Sequence, residues 1–234
     1  MDLPEVSIIT RCRNRLEYTV QVLDAVKRNS FLPYEHIIVD NASEDGTQEW
    51  FRWMAQNTSW YHNLRYFRMP RNVGDWGGML AGFAQSRGKY IVQLDNDIIP
   101  SPHWLSAMCA VLDDSQYKVI MLKRSNVFGK WVLKPLSEIR KVQGVQVCRV
   151  ERAVACYMMH RDSFKVLADR IPEGQGMKSK YIMAKLLHPI GKILDITCHE
   201  LEATEDMVLT GTDQRSKYPP MIDGKPNPQV WEKV

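Results

Sequence analysis

The first part of the chain alternates between two hydrophobic periodicities. Four short runs have the character of strands, EVSIIT, HIIVD, LRYFRM and KYIVQL, at residues 5–10, 36–40, 64–69 and 89–94. The segments between them place apolar residues at helical spacing, as between Leu16 and Val26. Apolar strands joined by helices are typical of a parallel sheet that is covered on both faces. The pattern therefore predicts an α/β fold with a central, mostly parallel sheet flanked by helices.

Polar residues and glycine mark the expected ends of the helices. Asn14 and Glu17 have the spacing of a cap pair for the first helix, Thr47 is placed to cap the second, and Gly88 to stop the third. After Asp114 the rhythm shifts to strands and hairpins. From residue 216 onward, four prolines and little periodicity predict an irregular C-terminal arm.

Polar side chains follow each of the four strand-like runs. The carboxyl ends of parallel strands lie at one edge of a sheet, and ligands of open α/β sheets bind there. These residues should therefore converge on one site. The clusters are Thr10–Arg11, Asp40–Asn41, Arg71–Asn72 and Asp95–Asn96–Asp97.

Asp95 and Asp97 place two like charges at the end of the fourth run. A solvated turn, a helix cap and a seat for a divalent cation are all compatible with such a pair. Mg²⁺ and Mn²⁺ take oxygen ligands and often share them between one or two carboxylates and the phosphates of a substrate. The pair alone does not decide among these three interpretations.

Composition places the chain among ordinary globular proteins. Of its 234 residues 44% are hydrophobic and 25% are charged, and no apolar stretch approaches the ~20 residues that span a bilayer. The five scattered cysteines argue against a disulfide framework and against a zinc site. Together with the lack of a signal-peptide pattern, they favour a cytoplasmic location. No Gly-rich loop follows the first strand, which argues against a dehydrogenase or a sugar-nucleotidyltransferase.

Positive charge concentrates in the second half, although the whole chain carries only +4. Residues 115–152 contain nine Lys or Arg and two acids, a net charge of +7 over 38 residues. Such a segment can attract an anionic partner, or it can be a solvated basic face.

Four motifs, each at a strand end and in chain order, resemble one protein family. VSIITRCRNR, HIIVDNASEDGT, RNVGDWGG and GKYIVQLDND follow the pattern of the family 2 glycosyltransferases, with the resemblance covering residues 6–101. It implies the GT-A fold, a Rossmann-like nucleotide-binding fold. It also implies a metal-dependent glycosyltransferase that uses a nucleotide-sugar donor, with UDP as the expected nucleotide. The implied cofactor is Mn²⁺ or Mg²⁺, bound at the DxD motif.

The family's motifs assign roles to individual nucleotide-binding positions. Thr10, Arg11 and Arg13 would line the nucleotide pocket, where arginines suit bidentate contact with phosphate. Asp40 would accept a hydrogen bond from the base, with uracil N3–H as the expected donor. The other residues expected at the nucleotide and the donor sugar are Asn72, Gly74, Asp75, Trp76, Asp95 and Asn96.

The metal is assigned to the end of the fourth strand. Asp97 would bind it directly, with Asp95 beside it, and His199 could complete the shell around the metal or the diphosphate. Trp76 has an equally good interpretation as a core residue, and a single histidine is more often structural than a ligand. Asn41, Asp45 and Gly46 are expected to shape a turn.

The general base is where the resemblance weakens. Family members that invert the anomeric centre use an acidic pair that opens a helix in the second half, but this chain has Ser179 and Lys180 there. Glu173 and Asp206 are the substitutes. A retaining enzyme needs no such base. We expect inversion in preference to retention.

These expectations divide the chain into three parts. Residues 1–114 form the nucleotide-sugar-binding half, residues 115–215 the acceptor-binding half of the same domain, and residues 216–234 the Pro-rich arm. The basic second half suits a lipid-linked phosphate, an acidic glycan or a modified nucleic acid as acceptor, and a lipid would be met by peripheral membrane contact. The alternative is a non-catalytic nucleotide-sugar or glycan-binding module that retains the GT-A shell.

Overall fold

The computed structural model describes residues 4–58, 63–125, 133–172 and 178–201, together with two short strands near the C-terminus. The helices are α1 (Leu16–Asn29), α2 (Thr47–Asn57), α3 (Gly74–Gln85), α4 (Trp104–Asp113), α5 (Arg161–Arg170) and α6 (Lys178–Leu186). The strands are β1 (Val6–Cys12), β2 (Tyr34–Asp40), β3 (Leu64–Arg68), β4 (Tyr90–Asp95), β5 (Ile98–Pro100), β6 (Val119–Arg124), β7 (Arg140–Val142), β8 (Val145–Val150), β9 (Cys156–His160), β10 (Ile190–Glu200), β11 (Met221–Ile222) and β12 (Lys225–Pro226).

Ten of the described strands form one continuous sheet. Their order is β3-β2-β1-β4-β9-β6-β10-β8-β7, and β5 pairs with β10 outside this path. β1 to β4 are parallel, β9 runs against both β4 and β6, and β10 is parallel to β6. The α/β fold is confirmed, and the carboxyl ends of β1, β2, β4, β6 and β10 lie at the same edge.

Helices cover both faces of this sheet. One face packs against α1 and α4, with Val22, Trp104 and Met108 among the residues that have no exposed surface. The other face packs against α3, α5 and α6, and includes Trp76 and Phe164. Burial of these side chains on both faces explains why β1, β2 and β4 are apolar almost throughout rather than alternating.

Glycine lets α3 approach the sheet closely. A Cβ at Gly82 would lie 2.4 Å from Cγ2 of Ile9, and one at Gly78 would lie 3.1 Å from Cγ and Cδ of Arg11. The close packing brings the first turn of α3 beside the end of β1. It therefore contributes to the geometry of the site described below.

The expected cap of α1 is wrong. The residue before the helix is Arg15, in the left-handed conformation at φ 61°, and it makes no side-chain cap hydrogen bond. Asn14 instead accepts a hydrogen bond from the backbone N–H of Glu44, 2.7 Å away. Sequence spacing missed this because the partner lies in a different loop.

Little of the C-terminal arm expected at residues 216–234 lies within the described residues. β11 and β12, at residues 221–222 and 225–226, pair with each other in antiparallel fashion. Among the described helices, none combines the length and apolar character that crossing a bilayer requires.

Candidate active site

A polar cleft lies at the carboxyl edge of the sheet, above the ends of β1 and β4. Its volume is about 340 Å³. The residues that line it are Arg11, Cys12, Arg13, Arg15, Asn41, Asp75, Asp95, Asn96 and Asp97. We call this the strand-end cleft. It brings together Arg11, Arg13, Asp75 and the complete Asp95–Asp97 stretch, which the sequence placed in one site.

Arg11 and Asp95 are neighbours because β1 and β4 are parallel and in register. The two residues are partners across the ladder, and Arg11 Nη2 donates to Asp95 Oδ1 over 2.6 Å. Gln93 Nε2 donates to the same oxygen over 2.9 Å, and the hydroxyl of Tyr157 in turn donates to Gln93 Oε1. The Asp95 carboxylate is thus fixed in orientation from β1, β4 and β9.

The charge of the Asp97 carboxylate is less well compensated than that of Asp95. Arg15 Nη1 donates to Asp97 Oδ2 over 3.2 Å. Burial, followed by the charge of Asp95, raises the pKa of Asp97 to about 6, and Glu200 adds to this while Arg15 opposes it. The charged form of Asp97 is therefore disfavoured in this environment, and the Arg15 guanidinium offsets that effect only in part.

Arg15 is a residue of the cleft that the sequence did not assign. Its reach toward Asp97 depends on consecutive left-handed conformations at Asn14 and Arg15, with φ of 59° and 61°. Spacing cannot reveal such a conformation in advance. The only available signal was a third arginine in TRCRNR.

Hydrogen bonds clamp the β1–α1 loop to the β2–α2 loop. Asp45 Oδ2 accepts from the N–H of Leu16 over 3.0 Å, and Asp45 Oδ1 accepts from Thr47 Oγ1 over 2.6 Å. Gly46 has a φ of 89°, which favours glycine. The expectation that Asp45 and Gly46 shape a turn agrees with this geometry. The clamp fixes the loop that carries Arg13 and Arg15.

The first turn of α3 forms another wall of the strand-end cleft. Asn41 Nδ2 donates to the carbonyl of Gly74 over 3.1 Å, and Arg11 Nη1 donates to the carbonyl of Asp75 over 3.4 Å. Asn72 is exposed next to this wall, where its Oδ1 accepts from the N–H of Gly74 over 2.9 Å. Gly74 has a φ of 72°, a conformation that non-glycine residues rarely adopt.

Thr10 and Asp40, which were expected to contact the nucleotide, are buried and do not line the cleft. Thr10 has no exposed surface, and its Oγ1 is 2.9 Å from Nε2 of His36. Asp40 is also fully buried, and its carboxylate accepts hydrogen bonds from Ser43 N–H, the Tyr66 hydroxyl and Arg68 Nη1 at 2.8, 2.5 and 2.7 Å. Contact of either residue with a nucleotide remains a prediction.

Trp76 is a core residue in this structure. Its side chain is 3% exposed, its Nε1 donates to the carbonyl of Ile171 over 2.9 Å, and its ring stacks on Phe164. Of the two interpretations of this tryptophan, packing is therefore the one that its surroundings support. A hydrophobic residue at the start of a helix cannot be assigned to core or ligand from sequence alone.

His199 is exposed and lies outside the lining of the strand-end cleft. It pairs with Ile99 between β10 and β5, and its Nδ1 is 3.3 Å from Ser125 Oγ. The expectation that it completes a metal shell stays a prediction. Both candidate bases, Glu173 and Asp206, fall outside the described residues.

The residues of the cleft fit a divalent cation that a ligand helps to coordinate. Within the described part of the chain, no group of three or more His, Cys, Asp or Glu has the arrangement to hold a metal by itself. Asp95 and Asp97 nevertheless offer two carboxylates, which is the usual protein share where substrate phosphates and water supply the other ligands of Mg²⁺. Because Arg11 and Arg15 now pair with these carboxylates, such a cation would have to replace them.

The sheet order and the helices on both faces define an α/β protein of the GT-A fold, with the strand-end cleft at the carboxyl edge of its sheet. A crystal structure of S. aureus TarS in complex with UDP-GlcNAc matches it with a TM-score of 0.69, over 89% of this chain and 62% of that chain, at 15% identity. A complex of the same protein with UDP gives a TM-score of 0.66, over 87% of this chain and 62% of that chain, at 17% identity. At this level of identity the likeness concerns the fold.

The chain belongs to glycosyl transferase family 2, whose family model matches residues 7–183. It is 34% identical to glycosyltransferase AglE of Haloferax volcanii over 105 residues, which are 44% of this chain and 34% of that protein. It is 26% identical over 140 residues to an undecaprenyl-phosphate 4-deoxy-4-formamido-L-arabinose transferase of Serratia proteamaculans, 58% of this chain and 42% of that protein. The matched regions thus span less than half the length of these relatives.

Proposed function

We propose that this chain is a metal-dependent glycosyltransferase that moves a sugar from a UDP-linked donor to an anionic acceptor. The observation that carries the proposal is the meeting of Asp95 and Asp97 with Arg11, Arg13 and Arg15 in one cleft at the carboxyl edge of the sheet. Family membership and the UDP-bound structures of a protein with the same fold support the choice of donor.

The charge of the cleft supports a requirement for metal. Among its lining residues, three arginines are balanced by three aspartates, so the formal charge is zero. A nucleoside diphosphate would bring further negative charge to a site that has no net positive charge to receive it. A divalent cation held by Asp95 and Asp97 would supply two positive charges and offset the charge that develops on the diphosphate leaving group.

Two arginines are available to the diphosphate once the carboxylates have another partner. Among the described side chains, the Nε atoms of Arg11 and Arg15 are buried and have no hydrogen-bond acceptor. A buried donor without an acceptor is costly. Phosphate oxygens would satisfy both donors, because a guanidinium can bind phosphate in bidentate fashion. The arginines would thereby orient the diphosphate.

The acceptor is assigned to the basic second half, and we propose a lipid-linked phosphate. The name of the Serratia relative contains undecaprenyl phosphate, and this supports the choice of a lipid-linked phosphate for the present chain. Lys123 is exposed at the carboxyl end of β6, the edge that also holds the strand-end cleft. We expect inversion at the anomeric carbon, with Glu173 or Asp206 as the base.

A donor screen tests this proposal. The chain is incubated with UDP- and GDP-sugars in the presence of Mn²⁺, Mg²⁺ or EDTA, and nucleotide release is measured with and without a polyprenyl phosphate. We expect release from a UDP-sugar that requires the metal and increases with the acceptor. NMR of the product then gives the anomeric configuration.

Two results would contradict the proposal. Nucleotide release that persists undiminished in EDTA would show that the reaction does not require a metal. Tight UDP binding without turnover, across donors and acceptors, would identify a binding module that retains the fold. Release that depends on metal but responds to an acidic glycan or to a modified nucleic acid would reassign the acceptor alone.

A further inference from the structure

The free edge of the second half carries an unusual exposed segment. Every residue from 134 to 141 is exposed, and the sequence there is KPLSEIRK. We call these residues the basic rim. Leu136 is 50% exposed and Ile139 is 53% exposed, and they are two of the five large hydrophobic residues that are exposed among the described ones. A folded chain gains nothing by presenting both to water.

The rim is anchored to the sheet and is not a detached loop. The N–H of Leu136 donates to the carbonyl of Arg149 over 2.7 Å, and the N–H of Arg149 donates to Ser137 Oγ over 3.0 Å. The segment then continues into β7, the edge strand paired with β8. The two hydrophobic side chains are therefore held in place along the edge of the sheet.

Basic residues accompany the exposed hydrophobic ones. Lys134, Arg140 and Lys141 lie in the rim, and Arg149 is exposed on the adjacent strand. Glu138 is the single acid within the rim. The nearby acid Glu151 pairs with Arg152 over 2.8 Å, so it does not offset the rim. The segment combines apolar side chains with a net positive charge.

The edge is poorly suited to pairing with another protein strand. β7 is only three residues long and contains Arg140 and Lys141, and Pro135 has no N–H to donate. Short edge strands, charges and proline are the features by which proteins prevent strand pairing at an edge. A second copy of the chain or an extended peptide is therefore a poor match for this surface.

We infer that the basic rim docks the protein on an anionic lipid bilayer, with Leu136 and Ile139 entering the interface and Lys134, Arg140 and Lys141 meeting lipid phosphates. Exposed apolar side chains flanked by Lys and Arg are the combination that binds the surface of anionic membranes. Five strand spacings separate β4 from β7 along the sheet, or about 24 Å, so the docking surface is distinct from the strand-end cleft.

Vesicle binding tests this inference without a donor or an acceptor. The chain is mixed with phosphatidylcholine vesicles that contain phosphatidylglycerol, or with vesicles of phosphatidylcholine alone, and the bound fraction is measured by sedimentation. Each basic residue near an anionic surface strengthens partitioning to the membrane roughly fivefold. The triple variant Lys134→Gln, Arg140→Gln, Lys141→Gln should therefore bind anionic vesicles about 100-fold less strongly. Leu136→Asn with Ile139→Asn should weaken binding about tenfold, with less sensitivity to salt.

A matched control uses the end of α1. Phe31 is 60% exposed and follows Lys27 and Arg28 closely, but Arg28 pairs with Asp24 over 2.5 Å. The variant Phe31→Asn, Lys27→Gln, Arg28→Gln removes the same types of side chain and should bind vesicles as the unmodified chain does. Far-UV circular dichroism checks that every variant is folded.

Three results would overturn the inference: absence of binding to anionic vesicles, equal binding by the rim variants, or an equal loss in the control. Sedimentation velocity supplies a fourth. If the unmodified chain were a dimer that the Leu136 and Ile139 substitutions dissociate, the rim would be an interface between copies. None of these results depends on whether the strand-end cleft transfers a sugar.

Discussion

Each carboxylate of the Asp95–Asp97 pair is matched with its own arginine. Arg11 comes from the strand next to Asp95, and Arg15 comes from the loop that follows. The motif was recognisable from the sequence because both acids follow a buried strand. The arginine partners were not, since Arg11 depends on the parallel register of β1 and β4, and Arg15 depends on a left-handed backbone.

The burial of individual side chains also limits how well the motifs predict contacts with a ligand. Thr10 and Asp40 occupy the expected strand ends, but both are fully buried and have partners within the protein. A sequence motif does not reveal whether a side chain at a strand end faces the cleft or the interior of the protein. The orientation depends on hydrogen-bond partners from adjacent strands, which are His36 for Thr10 and Arg68 for Asp40.

His36 makes a pH-dependent contribution to stability. Complete burial lowers the pKa of His36 to about 3. Because the imidazole titrates near 6.5 in the unfolded chain, the unfolded state binds the extra proton between these values, and stability falls as the pH falls below 6.5. Between pH 7 and pH 5 this should cost about 2 kcal/mol of the free energy of unfolding.

Urea denaturation at both pH values checks this prediction. His36→Gln should lose about 2 kcal/mol less than the unmodified chain over the same interval, whatever its stability at pH 7. His103→Gln, at an exposed histidine, is the control and should behave like the unmodified chain. An unchanged acid sensitivity in His36→Gln would show that another group is responsible.

At the scale of elements, the alternation of strands and helices followed from the sequence. β1, β2 and β4 are buried on both faces, so their apolar runs are local and easily recognised. β5 was missed, because three residues paired with a strand about a hundred positions away leave no periodicity to detect. The cap of α1 was missed for a similar reason, since its acceptor, Asp45, belongs to the loop after β2.

Asp45 is expected to stabilise two helix starts at once. Its carboxylate accepts from the N–H groups of Leu16 and Thr47, at 3.0 and 3.2 Å. Asp45→Ala should lower the free energy of unfolding by about 1–2 kcal/mol, because both donors lose their acceptor. It should also weaken UDP binding, since the loop that carries Arg13 and Arg15 is released.

The adjacent acid provides the control for this prediction. Glu44 is exposed, and the hydrogen bond to Asn14 uses its backbone N–H. Glu44→Ala should therefore change neither urea stability nor UDP binding by calorimetry. Equal effects of the two substitutions would show that the clamp between the loops does not depend on the Asp45 carboxylate.

At the scale of the whole molecule, the second half of the chain extends the sheet that β1 to β4 begin. β9 pairs directly with β4, and β6 and β10 follow beyond it, so the two halves share one sheet. The insertion of β9 between β4 and β6 could not be read from the sequence, because strand order depends on contacts between distant segments. This order places the carboxyl ends of β6 and β10 on the same edge as the strand-end cleft.

The position of Lys123 at that edge leads to a prediction about the acceptor. Lys123→Glu should raise the KM for an anionic acceptor several-fold, with less effect at high salt, and leave the KM for the donor unchanged. Lys118→Glu is the control, because Lys118 is exposed next to the opposite end of β6. Arg124 is unsuitable, since it pairs with Glu200. Equal effects at the two lysines would indicate a general influence of charge rather than an acceptor site.

The central claim is that Asp97 binds a metal that in turn binds the nucleotide. Calorimetry of UDP binding, with Mn²⁺ and with EDTA, tests it most directly in the unmodified chain, in Asp97→Asn and in the surface control Asp113→Asn. We predict that Mn²⁺ strengthens UDP binding by roughly tenfold or more in the unmodified chain and in Asp113→Asn, and has no effect in Asp97→Asn. Equal strengthening in Asp97→Asn, or none in the unmodified chain, would contradict the claim.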